Sequence, residues 1–173
     1  MGAYEDLRLH GKTAVQAMQS NHEYIRARIA PLPGDPFYLH LRDLLDAIRG
    51  YSSSEPLCIL DYGAGLSPYR SLFPNARYLR ADVTDADGVE YVISDDGRIS
   101  AQSEVFDLVL STQVLEHVAA PLTYLSECFR VLKKGGRLLL STHGMYEDHG
   151  CPYDFQRWTA DGLKRDLTQA ILM

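Results

Sequence analysis

Apolar residues in the first third of the chain recur at helical intervals. Phe37, Leu41, Leu44, Leu45 and Ile48 share one face of a 3.6-residue repeat. Asp35 stands ahead of them as a cap, Pro36 suits a first-turn position, and Gly50 follows as a stop. Upstream, residues 4 to 29 are more weakly periodic. Val15, Met18, Ile25 and Ile29 mark one face of a helix that Pro31 and Pro33 end. Residues 51 to 56 are polar and read as a loop. After it the pattern changes. Short apolar runs at 57–61, 77–81, 89–93, 106–111 and 137–141 read as strands. A short helix is predicted at 68–73 and a last one at 159–168. Pro121 opens another, with Leu122, Leu125, Phe129 and Leu132 on one face, and Gly135-Gly136 turns it into the fifth strand. Alternating strands and helices predict an α/β fold, a doubly wound, Rossmann-like parallel sheet with helices on both faces. The division expected is a helical extension at 1–56 and a ligand-binding domain at 57–173. Ligands of such sheets lie beyond the carboxyl ends of the strands. Residues 61–67, Asp82, Asp95, residues 111–113 and the loop after Ser141 occupy those ends.

Composition narrows the partners. The 173 residues are 46% hydrophobic, enough for one packed core, and the net charge is −6. An acidic chain whose basic residues gather only as Lys133-Lys134 is a poor partner for nucleic acid. No apolar run approaches the ~20 residues of a membrane span. The first residues lack a basic-then-apolar signal, and Asp6 occupies the position where a myristoylation signal wants Ser or Thr. Cys58, Cys128 and Cys151 are scattered and odd in number, which fits a reducing compartment. A cytoplasmic chain is the expectation.

The first strand ends in Leu60-Asp61-Tyr62-Gly63-Ala64-Gly65. Two glycines one residue apart let the backbone turn sharply and approach a ligand closely. A dinucleotide fingerprint requires a third glycine where Pro68 stands, and a carboxylate such as Asp61 is unwelcome beside phosphates. Asp82 follows Gly65 by 17 residues, at the end of the second strand, where an acid accepts hydrogen bonds from ribose hydroxyls. Singly, each residue is equally a strand-end turn or a solvated acid. Jointly they ask for a nucleoside with a free ribose, no phosphate and a cationic arm. S-adenosylmethionine (AdoMet) answers that description, and a nicotinamide cofactor answers it poorly.

From Cys58 to about Leu167 the chain resembles the class I AdoMet-dependent methyltransferases of the type 11 group. Five ordered pieces carry the resemblance: Ile59-Leu60-Asp61-Tyr62-Gly63-Ala64-Gly65; Tyr78-Leu79-Arg80-Ala81-Asp82; Ser94-Asp95; Phe106-Asp107-Leu108-Val109 with Leu115-Glu116-His117-Val118; and Arg130-Val131-Leu132-Lys133-Lys134-Gly135-Gly136. The resemblance implies cofactor contacts from Asp61, Gly63, Ala64, Gly65, Ser67, Asp82, Val83, Asp95, Thr112 and Gln113. Asp95-Asp96-Gly97 reads equally well as a type I turn, with the backbone of Ile93 or Gly97 as alternative contacts. Ser67 replaces a third glycine of the family's first motif. The family's sheet has seven strands, and the last two are not recognisable before Met173. The expectation is a domain truncated at its C-terminus, whose fifth strand is an edge that a second copy would cover.

The acceptor side is less legible. His117 reads as a packed, hydrogen-bonded residue. The loop from His143 to Cys151 holds two His, two acids and a Cys, but their spacing matches no tetrahedral zinc pattern, so no metal is expected. Its place after the fifth strand implies, by the resemblance, that it faces substrate. His143 or His149 then acts as general base, and Tyr146 and Arg157 contact the acceptor. Alternatively, Tyr153, Phe155 and Trp158 merely close the last helix over the sheet. The Asn-Pro-Pro-Tyr segment of enzymes that methylate nucleobase or glutamine amino groups is absent after Ser111. The reading is in-line methyl transfer to oxygen of a small-molecule or sugar-type acceptor. Its alternative is a truncated, catalytically silent AdoMet-binding or interaction module.

Overall fold

The computed structural model describes residues 14–52, 55–150 and 153–173. The side chains of Val15 and Met18, the residues before Ala14, and Cys151 lie outside that description. The chain divides into two compact units, residues 1–50 and 51–173.

In the first unit, α1 (Ala14–Ile29) and α2 (Tyr38–Arg49) are joined by a turn built on Asp35. The Arg26 guanidinium donates to both Asp35 oxygens, at 2.7 and 2.9 Å, and the Leu32 amide adds a third hydrogen bond at 2.7 Å. These donors hold the Asp35 carboxyl down at about 2. They also overturn the expected cap. With Asp35 engaged by Arg26 and Leu32, α2 starts three residues later, behind Phe37, which takes a left-handed φ of 61° and stays exposed. Leu41, Leu44, Leu45 and Ile48 form the buried face, as their spacing predicts.

The second unit holds a five-stranded parallel sheet: β1 (Cys58–Tyr62), β2 (Arg77–Asp82), β3 (Tyr91–Val92), β4 (Phe106–Thr112) and β5 (Leu132–Ser141), in the order β3-β2-β1-β4-β5. Ile59, Leu60, Leu108, Val109 and Leu110 are buried on both faces of the central strands, hence the unbroken apolar runs. The order reverses direction between β1 and β4, the switch point where such sheets open a ligand crevice.

Several local expectations change. The helix expected at 68–73 is a 3₁₀ turn, Arg70–Leu72, because Pro68 and Pro74 bracket too few residues for an α-helix. The third strand is two residues long. In α3 (Pro121–Val131) the buried residues are Tyr124, Leu125, Glu127, Cys128 and Val131, while Leu122 and Phe129 are half-buried. Leu132 belongs to β5, where it pairs with Phe106, and the register shifts before Arg137 pairs with Leu108. Gly135, at φ 79°, takes the irregularity. Glu127 accepts from the Ile99 amide and from Arg130, which also donates to the Ala101 carbonyl. That clasp fixes the β3–β4 connection to α3. Asp107 stands at the amino end of the sheet, accepting from the Cys58 amide and Lys133, both at 2.8 Å. Thr159 caps α4 (Ala160–Ile171) by accepting from the Gly162 amide.

Candidate functional site

The turn after β1 folds over the end of β2. The Gly63 and Ala64 amides both donate to the Ala81 carbonyl, at 2.9 and 3.0 Å. Gly63 (φ 81°) and Gly65 (φ 51°) have left-handed backbones, and Ser67 (φ 47°) shares that conformation. A Cβ on Gly63 would stand 2.5 Å from Val114 Cγ2, whereas one on Gly65 would meet nothing within 4 Å. The first glycine is therefore required by packing against the chain leaving β4. The second opens onto free space. Ala64 is buried and Val83 is exposed just past β2.

Two acids sit at this end. Asp82 accepts from the Gly65 amide at 2.7 Å through Oδ2 and from the Thr84 amide at 3.3 Å through Oδ1. Arg80 donates to the Gly65 carbonyl at 2.6 Å, so β2 grips the turn from both sides. Asp61 is only 3% exposed. Burial pushes its carboxyl up to about 6, against the Tyr78 hydroxyl, which donates to it at 2.7 Å. A buried carboxyl of that kind is stabilised as an anion by an incoming cation, which suits an ammonium or sulfonium arm. The open face over Gly65, the Asp82 oxygens and the buried Asp61 thus fit AdoMet. Asp95 stands elsewhere, exposed in a tight turn closed by the Gly97 amide donating to the Ser94 carbonyl at 2.8 Å. Gly97 in that turn takes φ 84°, and its carbonyl accepts from Tyr62.

At the other side of the crevice, Thr112 and Gln113 leave β4. Gln113 takes φ 57°, and its amide donates to the Ser141 carbonyl and hydroxyl, at 2.9 and 3.2 Å, which ties the exits of β4 and β5 together. The next turn brings in Glu116, which sequence reasoning placed only in a motif. It is fully buried. Its Oε2 accepts from Thr142 at 2.9 Å, and its Oε1 lies 3.2 Å from His143 Nε2. His143 is 6% exposed, with Tyr146 stacked on its ring at 4.2 Å. His149 meets the rings of His117, His143 and Tyr146 edge-on, at 5.0 to 5.2 Å. His143, His149 and Tyr146 are therefore brought together, around an acid 27 residues upstream of His143. His117 is the packed residue expected, its Nδ1 2.6 Å from the Tyr153 carbonyl.

Arg157 is placed differently from the expectation of a substrate anchor. Its guanidinium grips Asp154 with both terminal nitrogens and donates to the Gln156 and Glu147 carbonyls. This clasp closes the 143–158 loop upon itself and holds the Asp154 carboxyl well below the usual range. The aromatic trio divides. Trp158 is buried and donates to Asp166 at 3.0 Å, closing α4, while Tyr153 and Phe155 remain exposed.

Residues 60–140 match the family model described as "Methyltransferase domain". A ubiquinone biosynthesis O-methyltransferase of Cereibacter sphaeroides is 37% identical over 123 residues, covering 69% of this chain and 47% of the relative. A malonyl-[acyl-carrier protein] O-methyltransferase of Methylococcus capsulatus is 33% identical over 117 residues, covering 58% of this chain and 42% of the relative. The chain spans about half the length of the curated relatives it matches. A crystal structure of a SAM-dependent methyltransferase from Aquifex aeolicus superposes with a TM-score of 0.60 at 20% identity, over 86% of this chain and 87% of the other. No described helix is long and apolar enough to cross a membrane. The sequence match at 60–140, the reversing parallel sheet and the turn gripped by Asp82 agree: residues 60–140 are similar to methyltransferase domains, and the sheet has the Rossmann-like fold of the class I AdoMet-dependent methyltransferases.

Proposed function

We propose that the chain transfers the methyl group of AdoMet to an oxygen of a small-molecule acceptor. The observation that carries this reading is the pairing of two half-sites across the β1/β4 switch point. One is the Gly63–Gly65 turn with Asp61 and Asp82. The other is the cluster of Glu116, His143 and His149 beyond β4 and β5. In the first, Asp82 receives the ribose hydroxyls and Asp61 faces the cationic end, with Ala64, Ser67, Val83, Thr112 and Gln113 lining the cradle. Bound AdoMet supplies a methyl group on a sulfonium, already activated because its leaving group is a neutral thioether. The protein's tasks are then to align, to exclude water and to take up a proton. The second half-site takes the acceptor, with Tyr146 beside it and the hydroxyl's proton lost at the Glu116–His143–His149 cluster. Both named relatives carry O-methyltransferase names, which supports oxygen as the atom methylated. The acceptor expected is small, and its sugar-like or phenolic character is the first variable to screen.

Calorimetric titration with AdoMet and with its demethylated product tests the cofactor half. Asp82→Ala removes two carboxylate acceptors, each charge-assisted bond being worth roughly 1.5–3 kcal/mol, so affinity is expected to fall at least about a hundredfold. Unchanged affinity in that variant rejects the assignment of Asp82. Cofactor binding without turnover on any hydroxylated acceptor turns the reading toward a silent AdoMet-binding module.

A further inference from the structure

We infer that Glu116, His143 and His149 form a binding site for one divalent transition-metal ion, with zinc the best match. Among the described residues, these three each offer a ligand atom, and the atoms lie within 4.8 Å of one another. They come from two separate strand exits. Their convergence is therefore a product of the fold, and neighbouring positions in sequence do not explain it.

The decisive detail is a contact that is not a hydrogen bond. Glu116 is 0% exposed, yet its Oε1 accepts no hydrogen bond, although His143 Nε2 stands only 3.2 Å away. The imidazole nitrogen and the carboxylate oxygen approach each other with no hydrogen bond between them. Two ligands held about 2.0 Å from a tetrahedral ion stand about 3.3 Å apart, which is the separation seen. An ion would satisfy the otherwise costly buried oxygen. The surroundings have the form of an outer coordination sphere. The other Glu116 oxygen accepts from Thr142 at 2.9 Å. His149 Nδ1 lies 3.2 Å from the Glu147 carbonyl and 3.3 Å from Asp154 Oδ2, so a proton on Nδ1 leaves the lone pair on Nε2. Asp154 is in turn fixed by Arg157 and by the His149 amide at 2.9 Å. The two clasps thus orient the histidine and the carboxylate from behind.

Two imidazoles and one carboxylate suit zinc and its transition-metal neighbours over magnesium or calcium, which prefer oxygen alone. Three protein ligands leave a position open, as in catalytic rather than structural zinc sites. Within the methyl-transfer reading, on which this one consequence rests, the acceptor oxygen takes that position and loses its proton more readily. The ion lowers the pKa of the bound hydroxyl, and the released proton passes to solvent before the methyl group is transferred.

The test uses the full chain stripped with a chelator, then titrated calorimetrically with zinc, with magnesium as the comparison. Cobalt(II) is added as a spectroscopic probe, since four-coordinate cobalt absorbs intensely in the visible. One zinc per chain is expected, with little magnesium binding. Glu116→Gln and His149→Ala are each expected to weaken zinc at least about 100-fold and to abolish the cobalt spectrum. Asp154→Asn is expected to cost about 10- to 100-fold, as removal of an outer-sphere partner does. His149 is half-exposed, so its variant folds even if the Glu116 variant does not. His117→Ala, whose ring is tied to the Tyr153 carbonyl, is expected to bind zinc normally. No zinc binding by the folded wild-type chain overturns the inference. So does zinc binding that survives both His149→Ala and Glu116→Gln. AdoMet titration of the same samples separates the two readings. Zinc binding without AdoMet binding retains this site and rejects the methyltransferase function, and the reverse rejects the site alone.

Discussion

Asp61→Asn is expected to make the chain more stable at neutral pH and poorer at binding AdoMet. Asp61 is buried, and its carboxyl titrates at about 6 in the fold against 3.8 in its absence. Between roughly pH 4 and 6 the native side chain still holds a proton that the unfolded chain has released, so this group makes stability fall as pH rises through that window. The integrated cost at neutral pH is up to about 3 kcal/mol. Asn keeps an oxygen to accept from Tyr78 and removes the charge. Urea unfolding at pH 7 is expected to show the variant more stable by up to that amount, and at pH 4 the two proteins are expected to converge. Equal stability at both values rejects a buried charge at this position. Binding moves the other way. Loss of the anion is expected to weaken AdoMet at least about tenfold, since a charge-assisted contact is forfeited. The wild-type affinity rises with pH through about 6, and the variant's does not.

Gly63→Ala is expected to destabilise the fold by roughly 2–5 kcal/mol. A left-handed backbone costs a side-chain-bearing residue about 1–2 kcal/mol, and forcing a methyl into a packed contact costs about 1–3. Both apply, because φ is 81° and the new Cβ would stand 2.5 and 2.7 Å from the two methyls of Val114. A thermal melt is expected to drop by roughly 4–20 °C. Gly65→Ala carries only the backbone part, since nothing lies within 4 Å of its Cβ position. Adding Val114→Ala to Gly63→Ala is expected to restore part of the loss. A double variant no more stable than the single one removes the packing explanation and leaves backbone strain alone.

The difference between the two glycines shows where reading residues in order stops. Both were marked as turn residues, but Gly63 is constrained by a valine 51 positions away, and Gly65 only by its left-handed backbone. The same holds at the acceptor side. The 143–151 loop, taken alone, lacks a metal-ligand spacing. The carboxylate that completes the trio is Glu116, on the exit of a different strand, brought near by the parallel pairing of β4 with β5. Arg157 looked available for a substrate because its partner, Asp154, was not evident as such. A salt bridge three residues long is visible only once the loop's path is known.

By itself the sequence determined the class of fold and placed the candidate cofactor residues at the strand ends. Continuous apolar runs specify buried parallel strands, and the Gly63–Gly65 turn and Asp82 are each fixed by their place at the end of one such run. Those signals are local: a strand's end can be found from the strand itself. Tertiary structure decided the start of α2, the constraint on Gly63, the closed clasp of Arg157 and the meeting of Glu116 with His143 and His149. Each depends on which distant segments pair side by side. Register and crossover set those distances, and no single stretch of residues encodes them.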